Sequence, residues 1–305
     1  MKRVGYILIG LLMVMKCYGQ VIMSYNVENL FHPAHDTLKQ DYEYTPDGIK
    51  YWNNYRYYNK LHQIAKVIAN INDNRYLTII GLQEIENEQC LIDLCRRMPH
   101  YPYKYLHYES RDERGIDVAM LYDSVKVKII HSEPLSIQLD SMDYTRDILY
   151  ACAQVEKDTL HILVCHLPSQ LGGAKESEWK REKAKAIIQH QVNAMIANNE
   201  KAKIIVMGDF NSAPKEDITH LYNQMLHWNK IGRGTHKYKG QWTCLDQFYV
   251  SESLLDVKTR IYNAPFLLER DKRYLDYQPK RTYKGYRYNR DGYSDHLPIL
   301  LYINE

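Results

Sequence analysis

The sequence predicts an α/β fold in which two packed, mixed β-sheets are covered by helices on their outer faces. Three observations point there. Short apolar runs, LTII (77–80), HILVC (161–165) and KIIVM (203–207), read as strands buried on both faces. Helical stretches near 53–72, 86–98 and 175–198 alternate with such strands. A block from 103 to 166 then supplies several strands in succession with no helix between them, so the sheets are mixed and layered.

In chain order, VIMSYN (21–26) is the first strand. The helix near 53–72 places Leu61, Ile64, Ala65, Ile68 and Ile71 on one face. LTIIGLQ follows as a strand, then the helix near 86–98. Strands at 103–108, 116–122, 125–131, 147–155 and 159–166 come next, with Glu156-Lys157-Asp158-Thr159 as the turn between the last two. After the helix over 175–198, KIIVMGD is again strand. A shorter helix near 216–226, strands near 241–251 and 257–262, and a closing strand at 298–303 complete the chain. No repeat, low-complexity linker or Pro/Gly/Ser-rich stretch divides it, so residues 20–305 read as one domain. Neither GxGxxG nor GxxxxGK[ST] follows any strand, which excludes the dinucleotide and P-loop readings.

Residues 1–19 read as a secretory signal peptide. Lys2 and Arg3 precede an apolar run, Val4–Val14, that is too short to span a bilayer, and Cys17-Tyr18-Gly19 is a small-x-small exit before Gln20. A lipoprotein anchored at Cys17 is the weaker alternative, because Lys16 is a poor neighbour for lipid attachment. Export to the periplasm, cell surface or medium is therefore expected, with no stable membrane span. The leader takes Lys2, Arg3 and Lys16 with it and no acid, so the 40 basic residues fall into formal balance with the 37 acidic ones. Global charge then argues neither for nor against an anionic partner; only local patches do. An odd set of cysteines remains: Cys90, Cys95, Cys152, Cys165 and Cys244. Buried free thiols are the favoured reading, with a Cys152–Cys165 disulfide as the alternative. No CxxC pair and no HExxH supports a zinc site. Tyrosine is the compositional outlier, 28 Tyr against 4 Phe, giving an aromatic surface that carries hydroxyls.

Chemistry gathers in five polar segments: SYNVENLF (24–31), GLQEIEN (81–87), CHLPSQLGG (165–173), GDFNSAP (208–214) and SDHLP (294–298). Most stand where an apolar run ends, and functional groups of α/β sheets collect where strands end. Glu84 is a natural hard-oxygen ligand for Mg²⁺, and Asn26 adds an amide oxygen, directly or through water; a helix-capping role for Glu84 is the plain alternative. Gly208 turns the chain after KIIVM and leaves Asp209 and Asn211 on a loop before a helix. There Asp209 orients or deprotonates a water while Asn211 donates to a phosphoryl oxygen, although Gly, Asp and Asn are also ordinary turn residues. His166 ends its strand before Pro168. His296, behind Asp295, is an acid or base if a carboxylate fixes its tautomer, and Asp246 is the best candidate for that. The other histidines, among them His35 and His62, read as surface or packing residues.

Taken together, these segments resemble the endonuclease/exonuclease/phosphatase superfamily, which includes deoxyribonuclease I. NVENLF, GLQEIEN, HLPSQLGG and GDFNSAP look most like its bacterial extracellular nuclease-like members, over about 21–303. The resemblance implies a four-layer α/β sandwich and a Mg²⁺ (or Mn²⁺) phosphodiesterase site. Asn26, Glu84 and Asp295 would belong to the metal, Asp209 and Asn211 to water and phosphate, Asp246–His296 to an acid–base dyad, and His166 to the phosphate. Histidine rather than tyrosine at 166, together with export, argues against a specialised abasic-site enzyme.

Two stretches interleave basic and tyrosine residues, 41–60 and 269–293, a composition that suits a nucleic-acid backbone. A solvated loop pinned by tyrosines is the alternative. Arg114, Arg281 and Tyr283 are candidate substrate contacts, whereas Arg181 reads as a surface residue. The expectation is an exported, monomeric, metal-dependent nuclease. Its rivals are a phosphatase or phospholipid phosphodiesterase on the same scaffold and a catalytically silent binding protein.

Overall fold

The computed structural model describes residues 19–73, 76–140, 143–170 and 172–303. The predicted leader, Gly19 apart, lies outside these residues. Twelve strands form two six-stranded sheets. The first is built from β1 (Gln20–Leu30), β2 (Leu77–Ile85), β3 (Tyr103–His107), β4 (Asp117–Asp123), β13 (Val257–Ile261) and β18 (Ile299–Ile303), in the order β13-β18-β1-β2-β4-β3. The second takes β5 (Val127–Gln138), β6 (Tyr144–Val155), β7 (Asp158–His166), β8 (Lys203–Asp209), β9 (Leu221–Asn223) and β12 (Asp246–Ser251), in the order β5-β6-β7-β8-β12-β9. Each sheet contains one parallel pair, β1–β2 and β7–β8, and the rest is antiparallel. The parallel pairs are joined by the two long helices, α1 (Asn54–Asn72) and α3 (Glu178–Asn198), the crossover that a parallel connection requires. A short helix, α2 (Glu88–Arg96), lies beside α1.

Strand alternation separates the cores. On β7 and β8, Ile162, Val164, Ile205 and Met207 join the core between the sheets, while Leu163, Cys165, Ile204 and Val206 pack with Ala184, Ile188 and Val192 of α3. These strands are therefore apolar on both faces, which is why they appear as unbroken runs in the sequence. Each fully buried Leu, Ile or Val contributes about 1.5–3 kcal/mol. Gly81 lets the sheets approach: a Cβ there would stand 2.8 Å from the Met207 methyl. The result is the predicted four-layer sandwich.

Three expected elements differ. Residues 216–226 do not form a helix: the Glu216 carboxylate accepts the Asn223 N–H, Asp217 accepts the Tyr249 hydroxyl, and Leu221–Asn223 joins sheet two. A five-residue helix, α4 (Leu226–Lys230), follows. The strand at 241–251 is broken at Cys244-Leu245. Its first part pairs with β10 (His236–Tyr238) as β11 (Gln241–Thr243), and only its second part, β12, enters sheet two. The segment 269–293 is not an open loop but two hairpins, β14 (Leu268–Asp271) with β15 (Asp276–Pro279) and β16 (Tyr283–Lys284) with β17 (Arg287–Tyr288). Among the described residues the cysteines are free. Cys152 stands opposite His161, four positions from Cys165, so these two thiols do not meet.

Candidate functional site

Strand ends converge on one rim of the sandwich. In sheet two His166 is in register with Asp209, and Asp209 with Asp246, so three polar side chains sit side by side at the ends of β7, β8 and β12. The φ of Gly208 is +149°, and a Cβ there would lie 1.8 Å from the Cys165 carbonyl oxygen, so only glycine admits this close approach. In sheet one, β2 slips register against both neighbours between Gln83 and Ile85. Glu84 is the extra residue, with φ +68°. Such a bulge re-aims a side chain, and here it carries the carboxylate into the rim. Glu84 is not a helix cap; Asn87 caps α2 by accepting the Cys90 N–H.

The two halves touch through Asn26. Its Nδ2 donates to Glu84 Oε1 at 3.2 Å and to Asp209 Oδ2 at 3.1 Å, and its Oδ1 accepts the Glu28 N–H at 3.0 Å. The amide oxygen is thus committed to the backbone, and Asn26 holds two carboxylates in place instead of presenting an oxygen. Glu84 Oε2 accepts the Asn29 N–H at 2.8 Å. His166 Nε2 lies 3.9 Å from Glu84 Oε1 and 3.7 Å from Asp209 Oδ2, and its Nδ1 is buried with no partner. Asp209 Oδ1 accepts the Asn211 N–H, and Asn211, held at φ +49°, donates its amide to the Leu167 carbonyl at 2.9 Å. No helix follows this loop; β9 does. His296 Nδ1 contacts Asp246 Oδ2 at 2.7 Å, which turns Nε2 toward Asp209 at 3.8 Å and Asp295 at 4.0 Å. Ser294 fixes this corner, donating to the Asn26 carbonyl and accepting the His296 N–H.

The two histidines are pushed in opposite directions. Burial lowers His166 well below its usual range, and Arg146, Arg114 and His296 add to the effect, so its imidazole is neutral. Burial also opposes protonation of His296, but Asp246, Asp209 and Asp295 outweigh it and hold the imidazolium well above the usual range. Burial raises the Asp209 carboxyl to about 7, with Asp246 adding and His296 opposing.

Of the remaining candidates, Arg114 donates to Asn29 Oδ1 at 3.0 Å, next to the Glu84 anchor. Arg281 stands near enough to Asp295 and His236 to lower both their pKa values. Tyr283 does not face the site: it is buried, its hydroxyl donates to the Lys50 carbonyl, and its ring packs with Trp52, Tyr44 and Tyr288. Arg181 is not on the surface either. It is buried, and its guanidinium ties down the carbonyls of Pro168 and Ala174, which fixes the loop after His166.

Four further residues had gone unread in the sequence. Arg146 is buried and donates to the carbonyls of His166 and Leu167 at 3.3 Å each and to Asp112 at 3.0 Å. It therefore sets the strand end that carries His166 and the carbonyl that holds Asn211. Glu28 and Lys60 are buried beneath the hairpins: Glu28 accepts the N–H groups of Thr282 and Tyr283, and Lys60 donates to Thr282 Oγ1 and the Tyr293 carbonyl. Burial, then Asp295, pushes Glu28 up to about 7. Lys60 occupies the apolar stripe of α1 beside Leu61 and Ile64, and a lysine in that stripe was the available signal. His236, whose ring stands 4.9 Å from that of His296, arrives on β10, a strand of three residues that periodicity cannot detect.

Glu84 and Asp209 meet at the Asn26 amide, Asp209 and Asp295 both face His296 Nε2, and burial, with repulsion from Asp246, raises the Asp209 carboxyl to about 7. An oxygen-rich site with surplus negative charge fits a hard divalent cation, which relieves that repulsion.

A family model described as "Endonuclease/Exonuclease/phosphatase family" matches residues 21–305. Comparison with curated proteins gives no match. Among solved structures, TDP2 from Caenorhabditis elegans has TM-score 0.61 and 16% identity, covering 94% of this chain and 76% of that one. The mannosyl-6-phosphatase Bt3783 of Bacteroides thetaiotaomicron has TM-score 0.59 and 15% identity, covering 94% and 100%. D. rerio TDP2 complexed with single strand DNA product has TM-score 0.58 and 17% identity, covering 94% and 99%. At these identities what is shared is the fold.

Proposed function

The chain belongs to the endonuclease/exonuclease/phosphatase family, and on that premise we propose a metal-dependent phosphoric ester hydrolase that cleaves phosphodiester bonds of nucleic acid. The hydrolase chemistry is supported by the family and by its neighbours TDP2 and the mannosyl-6-phosphatase. The observation that carries the substrate class is the wall beside Asp295 and His236. A cavity of about 340 Å³ there is lined by Lys237, Lys239, Arg273, Arg281 and Lys284 together with Asp271, Tyr238 and Tyr274; Lys237 is paired with Asp276 and Lys284 with Glu269, at 2.8 and 2.7 Å. Tyr42, Tyr51, Tyr55, Tyr277 and Tyr286, from the same two basic stretches, are exposed. Cations interleaved with aromatic faces suit a phosphate backbone and stacked bases. A neighbour that holds a single-stranded DNA product lends the same reading support.

Glu84 and Asp295 would hold Mg²⁺ or Mn²⁺, with Asn26 positioning the Glu84 and Asp209 carboxylates. Bound there, the cation would supply Lewis-acid polarisation of the phosphoryl group. The protein's own groups divide the proton traffic. Asp209, fixed by Asn26 and the Asn211 N–H, orients the attacking water and takes its proton as the new P–O bond forms. His296, charged and braced by Asp246, delivers a proton to the leaving oxygen as the old P–O bond breaks. Neutral His166 and the second N–H of the Asn211 amide, the first being held by the Leu167 carbonyl, donate to phosphoryl oxygens and stabilise charge there. The signal-like opening of the sequence supports export, and no helix among the described residues is long and apolar enough to cross a membrane.

The test is nicking of supercoiled plasmid in Mg²⁺ or Mn²⁺, with and without EDTA, beside Glu84→Ala. Metal-dependent nicking that the variant loses supports the reading. Hydrolysis of phosphate monoesters alone would overturn the nucleic-acid substrate while leaving the hydrolase class intact.

A further inference from the structure

A second cluster lies toward the β3 edge of sheet one, at the end of β4 where Asp117 is in register with Ile85. His107 ends β3 opposite Ala119 of β4, so Asp117, two residues earlier on β4, shares its face, and Glu109 follows on the connecting loop. One ligand-type atom from each of these three residues lies within 4.8 Å of the others. The His107 and Asp117 side chains are only 4% and 2% exposed, and His107 Nε2 faces Asp117 Oδ2 at 3.6 Å. That is too long for a hydrogen bond, and both atoms are buried without a partner. Buried polar atoms are nearly always satisfied, so two orphans facing each other across a gap, with a carboxylate beside them, point to something that sits between them.

Charge agrees. Burial, then Asp117, raises the Glu109 carboxyl, and Asp36 adds to it; His107 and Lys39 act in the opposite sense. The Lys39 ammonium is already engaged by the Ser110 and Asp112 carbonyls at 2.8 and 3.3 Å, and the Asp117 Oδ1 accepts the Ser110 N–H. Three carboxylates thus share a corner with one committed lysine and one imidazole.

We propose that His107, Glu109 and Asp117 form a second divalent-cation site, of the one-imidazole, two-carboxylate type that takes Zn²⁺ in preference to Mg²⁺. Imidazole suits zinc and is a poor ligand for magnesium. Tetrahedral donors about 2.0–2.1 Å from zinc stand about 3.4 Å from each other, close to the gap between the orphaned atoms. Its role is structural. The Asp117 carboxylate holds Ser110, the Ser110 hydroxyl accepts the Asp112 N–H, and Asp112 accepts both the Arg114 N–H and the Arg146 guanidinium. A cation at this corner would stiffen the loop that presents Arg114 to the rim.

The experiment strips the full chain with a chelator and titrates it with Zn²⁺ alone, following affinity by competition with a chromophoric chelator and stability by thermal melting. Co²⁺ serves as a spectroscopic reporter. Glu84→Gln is expected to retain one tight Zn²⁺, a Zn²⁺-dependent rise in Tm and the visible Co²⁺ absorption of nitrogen and oxygen ligation. His107→Gln should lose the Co²⁺ band and weaken Zn²⁺ at least about 100-fold. Glu109→Gln, on an exposed loop where folding is not at risk, should weaken it about tenfold, and it decides the matter if His107→Gln does not fold. Unchanged Zn²⁺ affinity in both His107→Gln and Glu109→Gln, or loss of all Zn²⁺ binding in Glu84→Gln, would overturn the site.

Discussion

Sheet one and sheet two meet at the same rim but bring different chemistry to it. Sheet one delivers Asn26 and Glu84 from its central parallel strands and Asp295 from the approach to its last strand. Glu84, on its bulge, and Asp295 bring carboxylates, Asn26 positions the Glu84 and Asp209 carboxylates, and His296 arrives beside Asp295. Sheet two delivers His166, Asp209 and Asp246 from three adjacent strand ends, with Asn211 just beyond. Of these, burial lowers the His166 imidazole and raises the Asp209 carboxyl. On the proposed function the division is partial: Glu84 and Asp295 of sheet one would hold the cation and Asp209 of sheet two would take a proton, while the proton donor His296 arrives with the approach to β18 of sheet one and is braced by Asp246 of sheet two. Asn26 to Asp209 and His296 to Asp246 are hydrogen bonds that cross the divide.

Substitutions at the rim should separate these halves. The largest effect is expected from Glu84→Gln, which should cut phosphodiester turnover by about 10³-fold and weaken Mn²⁺ binding in parallel. Unaltered Mn²⁺ affinity, measured by titration, would break the assignment of cation binding to sheet one. His296→Ala should lower kcat by about 10²–10⁴-fold while Mn²⁺ affinity stays near that of the wild type. If both fall together, the halves are not separable.

Arg146→Met tests whether sheet two depends on a buried brace. Leaving Asp112 unpaired should cost about 3–5 kcal/mol by denaturant unfolding, and the resulting shift of His166 and Asn211 should lower kcat by up to about 10²-fold. The two glycines make a closer contrast. Gly208→Ala drives a methyl into the Cys165 carbonyl at a positive φ and should destabilise strongly, whereas Gly81→Ala meets side-chain atoms alone, the thioether end of Met207 at 2.8 Å and Val164 Cγ1 at 3.2 Å, and should cost less. Equal losses of Tm in these two variants would contradict the packing described for the rim.

The smallest effect concerns pH. The folded Asp209 carboxyl, at about 7, lies above its unfolded value. The unfolded chain therefore gives up this proton first, and the stability linked to Asp209 declines as pH rises from about 4 to 7. In chelator, Asp209→Asn should remove that decline, making Tm less sensitive to rising pH than in the wild type. An identical pH dependence would show that Asp209 titrates normally in the fold.

Much of this architecture is legible in the sequence, for a physical reason. Strands such as KIIVM are apolar on both faces because sheet and helix cover them, and polar residues at their ends have nowhere to go but the rim. Asp209, Asn211, His166 and Glu84 are found by that logic. What is not legible depends on contacts distant in sequence. Arg146 stands between Thr145 and Asp147 and looks like an exposed strand position, because its partners Asp112, His166 and Leu167 come from two other segments. The second hairpin within 269–293 is held by Glu28 and Lys60, more than 200 residues away, and the first by Lys237. The missed β10 and the broken strand at Cys244-Leu245 are too short for a period-two pattern to be seen.

The pairing of β1 with β18 has a consequence for how the protein comes into being. Gln20 lies against Ile303 and Ser24 against Ile299, so the strand made first finds one of its partners only when the strand made last is complete. His296 and Asp295 come with that strand. A growing chain can settle sheet two early, since its strands all lie within residues 127–251, but the rim is incomplete until residues 294–303 are in place. On the proposed function, a chain truncated before Ser294 should lack activity rather than keep part of it, because Asp295 and His296 would be missing.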